Sequence, residues 1–347
     1  MKVVKTYYSN QIRTRLVAPL RRSLRRSLSA ATLVTSLVLP AVAAPAPAPI
    51  VTGVIDPVSG FQTLSGTLRR TYSVVNGIPV PINPQTTVAS ANLTVAGVSR
   101  RYLVIKPTNV TANAPVMLFL HANSVSPELM AALTEAADYA ATQGFWAVFP
   151  AAVGGVWKDD PSTSGNDDVR FVSALIDTLA TQGADATRVY AAGYSNGGFM
   201  ADRLACELSD KIAAFGMAAA SLRNGVANAC APVKKRAKIY FLGTADGVVP
   251  YAGVANLKSA SATMAYWSAQ QGCAGTLANT LPDRVLDVTT VQQTRYTGCV
   301  GGAENQLYTI TGGGHAWPGG LTASVDITTM DVDATGLIWK FASAYRR

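Results

Sequence analysis

The chain reads as an α/β protein with a mainly parallel central sheet and helices on both faces. Three observations predict this. Val116-Met117-Leu118-Phe119-Leu120 and Phe145-Trp146-Ala147-Val148-Phe149 are unbroken apolar runs, as strands buried on both faces require. Val169, Val172, Ile176 and Leu179 recur at helical spacing after Asp167-Asp168. Strands and helices of this kind then alternate toward the end of the chain, the rhythm of a parallel sheet covered on both sides.

The elements follow in order. Residues 1–43 read as a signal peptide: a long basic front, an apolar stretch from about Leu28 to Leu39, and the small-residue cleavage site Ala41-Val42-Ala43. The apolar stretch is too short and too rich in Ser and Thr for a membrane span, so no stable membrane anchor is expected. An interfacial helix that stays attached is the alternative. Residues 44–91 read as a Pro-rich tether, Pro45-Ala46-Pro47-Ala48-Pro49, followed by an N-terminal β segment. Residues 92–347 form the main domain. Leu93-Thr94-Val95 and Arg101-Tyr102-Leu103-Val104-Ile105 resemble a strand pair turned at Gly97, with Pro107 ending the second strand. A helical stretch from Pro127 to Gln143 separates the two apolar runs, and Pro150 stops the second. Further strands are expected at Arg188–Ala192, Ile239–Leu242 and Gln306–Ile310, and a closing helix around Leu337, Ile338 and Phe341.

The 347-residue chain is 49% hydrophobic and only 14% charged, enough apolar mass for a full core and too little charge to coat nucleic acid. Its net charge of +9 belongs to the leader. Eight Lys and Arg and no acids lie in residues 1–43, and without them the balance is +1. Nucleic acid is therefore not an expected partner. A secreted or periplasmic location changes how Cys206, Cys230, Cys273 and Cys299 are read. An even count in an oxidising compartment favours two disulfides. Three pairings are possible, and closing the shortest loops gives Cys206–Cys230 and Cys273–Cys299. Free buried thiols are the alternative. No Cys/His spacing suits zinc, so no metal site is expected.

Gly193-Tyr194-Ser195-Asn196-Gly197 fits G-x-S-x-G, a sharp strand-to-helix turn that presents a nucleophilic serine. The strand before it and the helical stretch Phe199–Leu208 after it supply the required context. A serine hydroxyl needs an adjacent base. The chain holds two histidines, His121 and His315. In the chain order Ser, acid, His, only His315 lies downstream of Ser195. The acid should follow a strand between them, and Asp246 directly follows the Ile239–Leu242 strand; Asp283 and Asp287 are weaker rivals, and Asp202 should point away. A developing oxyanion needs two fixed donors. These are assigned to the backbone amides of Asn196 and Asn123, with Ala122 as alternative to the latter. His121 reads as a structural residue anchoring that loop. Trp157 and Trp317 are expected to line the acyl cleft, with core packing as the alternative. No cofactor is expected.

Together these residues resemble the secreted esterase family of poly(3-hydroxybutyrate) depolymerases and feruloyl esterases. The likeness runs from about Asn92 to Tyr345. Its most specific pieces are Gly193–Gly198 leading to Arg203-Leu204-Ala205-Cys206-Glu207, Gly243-Thr244-Ala245-Asp246, and Gly314-His315-Ala316-Trp317-Pro318-Gly319. Asn166-Asp167-Asp168-Val169 also matches. The resemblance implies an α/β-hydrolase fold, the triad Ser195, Asp246 and His315, and the Cys273–Cys299 pairing. It departs at His121-Ala122, where the family has His-Gly, and at Lys158, where Asn is usual. It implies an ester substrate, a polyester or its oligomers first and a feruloyl or acetyl ester of plant polysaccharide as the alternative. A serine peptidase and an inactive surface-binding protein on the same scaffold are further alternatives. A monomer is expected.

Overall fold

The computed structural model describes residues 71–109, 112–320 and 326–347. The expected signal peptide and Pro-rich tether lie outside the described residues. In chain order the elements are Thr71–Val75 (β1), Ile78–Ile82 (β2), Thr86–Val95 (β3), Val98–Pro107 (β4), Ala114–Leu120 (β5), Pro127–Thr134 (α1), Ala136–Gln143 (α2) and Trp146–Pro150 (β6). Then come Asp167–Thr181 (α3), Ala184–Tyr194 (β7), Asn196–Glu207 (α4), Ala214–Ala218 (β8), Asn224–Ala229 (α5), Ala237–Gly243 (β9) and Ala260–Gln271 (α6). Gly275–Thr280 (β10), Thr290–Thr297 (β11), Asn305–Thr311 (β12) and Ala334–Ala342 (α7) complete the fold.

β1 and β2 form a separate hairpin. The other ten strands make one sheet in the order β10-β11-β12-β9-β8-β7-β5-β6-β4-β3. The centre, from β12 to β6, is parallel, while both flanks are antiparallel. β5 shows why its sequence is apolar throughout. Val116, Leu118 and Leu120 face one core with α3, α4 and α6, whereas Met117 and Phe119 face the other with α1, α2 and α7. Each of these larger side chains contributes roughly 1.5–3 kcal/mol by leaving water.

The β3–β4 hairpin turns through Ala96 and Gly97, both at positive φ, as the Gly97 reading expects. β3 already begins at Thr86 and pairs with β4 along its whole length, so residues 86–91 belong to the main sheet rather than to the N-terminal segment. The expected single helix from Pro127 to Gln143 is two helices. Glu135 takes a left-handed conformation (φ 49°) that closes α1 and opens α2, and no Gly or Pro marks the break. Three strands carry no clear sequence signal. β8, Ala-Phe-Gly-Met-Ala, is short and poor in β-branched residues; a Cβ on its Gly216 would lie 2.8 Å from Ile338, so α7 packs directly on the strand. β10 and β11 extend the sheet beyond β12, and β10 is exposed along its length.

Cys206 is bonded to Cys230 and Cys273 to Cys299, the pairing that closes the shortest loops. The first bridge ties the end of α4 to the residue after α5, and the second ties the chain after α6 to the end of β11. Among the described residues, no helix is long and apolar enough to cross a membrane.

Candidate active site

β7 runs from the core to the turn at Ser195, and α4 starts at the next residue. Ser195 has φ 54° and ψ −118°, a conformation costing on the order of 1–3 kcal/mol. Its amide donates to Ala218 O at 2.9 Å, which pins the turn to β8. The flanking glycines are obligatory. A Cβ on Gly193 would sit 2.0 Å from Gly197 O, and one on Gly197 would sit 2.0 Å from Leu120 O. Strand, turn and helix therefore touch backbone to backbone, and Ser195 Oγ projects from the bend.

His315 lies on the loop after β12. Its Nε2 is 2.9 Å from Ser195 Oγ and its Nδ1 is 2.8 Å from Asp246 Oδ2. The carboxylate fixes the tautomer: Nδ1 carries the proton, leaving Nε2 to accept from the serine hydroxyl. Asp246 follows β9 and is buried; its Oδ1 accepts from the amides of Val248 and Val249, both at 2.8 Å. Its two oxygens are thus fixed in direction. The rivals lie elsewhere. Asp287 accepts from Thr289 and Met330, and Asp283 is exposed. Asp202 points into the core toward Tyr240.

Two further groups hold His315, neither evident in the sequence. Asp326 Oδ2 accepts the His315 amide at 2.6 Å, and Tyr194 Oη donates to His315 O at 2.8 Å. The Tyr194 ring also lies 5.4 Å from the imidazole. Only the fold brings these partners together across so many residues.

His121 and the loop after β5 stand beside the elbow. His121 Nε2 accepts from the Ala152 amide at 3.0 Å, so Nδ1 bears the proton and donates to Ala122 O at 2.8 Å. Burial holds this imidazole below its ordinary pKa, and it stays neutral. It anchors the loop. Ala122 is buried and does not share the positive φ of Ser124, so a glycine is not required there. Among the described residues, no acceptor engages the backbone amides of Ala122, Asn123 or Asn196. The Asn123 side chain is exposed and accepts from Ser124 Oγ.

Trp157 and Trp317 correct the expectation of a tryptophan-lined cleft. Trp157 is 2% exposed and Trp317 is 1% exposed. Trp317 Nε1 donates to Thr335 and its ring packs edge-on to Phe119. Trp157 Nε1 donates to His121 O at 3.0 Å, and its amide donates to Asn196 Oδ1 at 2.7 Å. With faces buried and donors occupied, neither indole presents a surface to a ligand. Lys158, the departure from Asn, turns its ammonium outward to Asp167 at 2.9 Å. Asp168 braces the same loop, accepting from Lys158 N at 2.8 Å and pairing with buried Arg100 at 2.6 Å.

An acetyl xylan esterase structure from Aspergillus awamori superposes with a TM-score of 0.51, covering 66% of this chain and 94% of that one at 15% identity. The fold is that of the α/β-hydrolases. No family model matches the chain. Feruloyl esterase B of Piromyces equi is 28% identical over 235 residues, 62% of this chain and 42% of its own length. The bifunctional acetylxylan esterase/xylanase XynS20E of Neocallimastix patriciarum is 30% identical over 156 residues, 45% of this chain and 22% of its own. The chain spans less than half the length of these curated relatives. In this fold Ser195 stands at the strand-to-helix turn beside the parallel sheet, with Asp246 and His315 on the loops after β9 and β12.

Proposed function

We propose that this chain is an exported serine carboxylic ester hydrolase acting through an acyl-enzyme, with Ser195 as nucleophile, His315 as base and Asp246 as orienting acid. One observation carries the reading: the unbroken relay from Ser195 Oγ through His315 to Asp246, with the serine on a strained strand-to-helix turn. Ser195 Oγ attacks the ester carbonyl as His315 Nε2 takes its proton. The oxyanion forms against the amides of Asn196 and Asn123. His315 then protonates the departing alcohol. Water, deprotonated by His315, attacks the acyl-Ser195 carbonyl and releases the acid and the free serine.

For the substrate, the relatives favour feruloyl or acetyl esters of plant polysaccharide over a hydroxybutyrate polyester. The relatives described above are named for feruloyl and acetylxylan esterases, none for polyester depolymerases. The two disulfides favour an oxidising, extracellular or periplasmic setting. Purified protein is incubated with feruloylated arabinoxylan, acetylated xylan, hydroxybutyrate oligomers and a peptide panel. Release of ferulate or acetate at least about tenfold more efficiently than hydroxybutyrate is expected. Preferential cleavage of the oligomers would reverse the substrate assignment, and cleavage of peptides alone would reverse the reaction class.

A further inference from the structure

Trp157 touches both sides of the elbow at once. Its amide donates to Asn196 Oδ1 at 2.7 Å, and its carbonyl accepts from Asn196 Nδ2 at 3.1 Å. This two-point grip fixes the side chain of the residue whose amide follows the nucleophile. The same residue reaches the other side with its indole, donating from Nε1 to His121 O at 3.0 Å. His121 O and Ala122 N belong to one planar peptide, so fixing the carbonyl aims the amide the opposite way. The next peptide is fixed as well. Ala122 O accepts from His121 Nδ1 at 2.8 Å and from Val125 N at 3.1 Å, which sets the direction of Asn123 N–H.

The grip is braced from behind. Asn196 Nδ2 also donates to Asp159 Oδ2 at 2.6 Å. Arg223 holds Asp159 at 2.9 Å and lies over the Phe199 ring at 4.2 Å from its centroid, and Phe199 belongs to α4 like Asn196. These contacts close a circuit from Asn196 of α4 through Asp159 and Arg223 back to Phe199 of α4, with Trp157 gripping its Asn196 corner.

We propose that Trp157 is a positioning residue that sets the spacing and direction of the two oxyanion donors, with Asp159 and Arg223 bracing it. This rests on Ser195 being the nucleophile. The consequence is specific: loosening the crossbar weakens binding of the tetrahedral oxyanion and leaves ground-state ester binding nearly intact.

The test is Trp157→Phe, which removes the indole N–H and keeps most of the ring volume, assayed beside Ser195→Ala. With p-nitrophenyl acetate, Trp157→Phe should lower kcat by about 10- to 100-fold, with KM within about threefold of wild type. Affinity for a trifluoromethyl ketone, which forms a hemiketal oxyanion on serine, should fall by the same factor as kcat/KM. A residue that merely supports the core would lower the melting temperature and leave that affinity unchanged, and this result overturns the proposal. Asp159→Asn carries the same test should the indole variant not fold, with parallel losses expected and an unchanged inhibitor affinity counting against. Near-wild-type turnover by Ser195→Ala would remove the nucleophile assignment, and the proposal with it. An inactive Ser195→Ala beside an unaffected Trp157→Phe would remove the proposal alone.

Discussion

Gly197→Ala tests the elbow by adding one methyl group. The new Cβ would lie 2.0 Å from Leu120 O, 2.5 Å from Leu120 C and 2.6 Å from His121 O, all backbone atoms. No side chain can rotate away. Reaching ordinary contact near 3.4 Å requires the start of α4 and the end of β5 to part by about 1.4 Å. That displacement falls between Ser195–Asn196 on one side and the segment leading to Asn123 on the other, the separation that the proposed mechanism depends on. A misplacement of about 1 Å costs on the order of 10²-fold in rate, and overpacking of this kind costs about 1–3 kcal/mol in stability. The expected result is a kcat/KM for p-nitrophenyl acetate about 100-fold below wild type, with a melting temperature lower by a few degrees. Gly247→Ala is the control, because its Cβ would meet nothing within 4 Å; its activity should stay within about threefold of wild type. Wild-type activity in Gly197→Ala would show that the elbow tolerates the added methyl group and that the close approach does not hold the site.

Three other perturbations follow from the same structure. Asp246→Asn keeps the shape but loses the carboxylate that fixes the His315 tautomer, so kcat should fall about 10³- to 10⁴-fold with little change in melting temperature; a loss under tenfold would contradict the acid assignment. Burial pushes the Asp202 carboxyl up to about 7 from 3.8, against the Tyr240 hydroxyl and the Lys238 charge. The native state therefore keeps this proton to higher pH than the unfolded chain does, and the contribution of Asp202 to stability falls as pH rises from about 4 to about 7. Asp202→Asn should flatten the melting temperature across that window, and an unchanged slope would count against it. Cys230→Ser opens the Cys206–Cys230 loop, whose ends are 24 residues apart, and should cost about 3 kcal/mol in denaturant unfolding; thiol titration of denatured, unreduced wild type should find no free thiol.

Much of this molecule is legible in the sequence where one local property decides the outcome. Runs buried on both faces mark β5 and β6, and a 3.6-residue period marks α3. Chain order, together with a count of two histidines, isolates His315 without any coordinates. What escapes depends on distance and burial. Trp157 sits in a glycine-rich loop near the elbow, and nothing in its neighbours reveals that its ring is enclosed and its N–H spent on His121. Tyr194 and Asp326 hold His315 from 121 and 11 residues away. β8 is invisible because its small residues answer to the packing of Ile338, a constraint imposed from a helix over a hundred residues later. The break at Glu135 leaves no mark because a glutamate rarely takes the left-handed conformation by its own preference.

The proposed mechanism requires Ser195 to carry the acyl group. The most direct measurement is mass spectrometry of protein quenched in acid during turnover of a slowly deacylated p-nitrophenyl ester. One added acyl group is expected on the peptide containing Ser195, absent in Ser195→Ala and formed far more slowly in His315→Ala. An acyl group on another residue, or sustained turnover by Ser195→Ala, would contradict it.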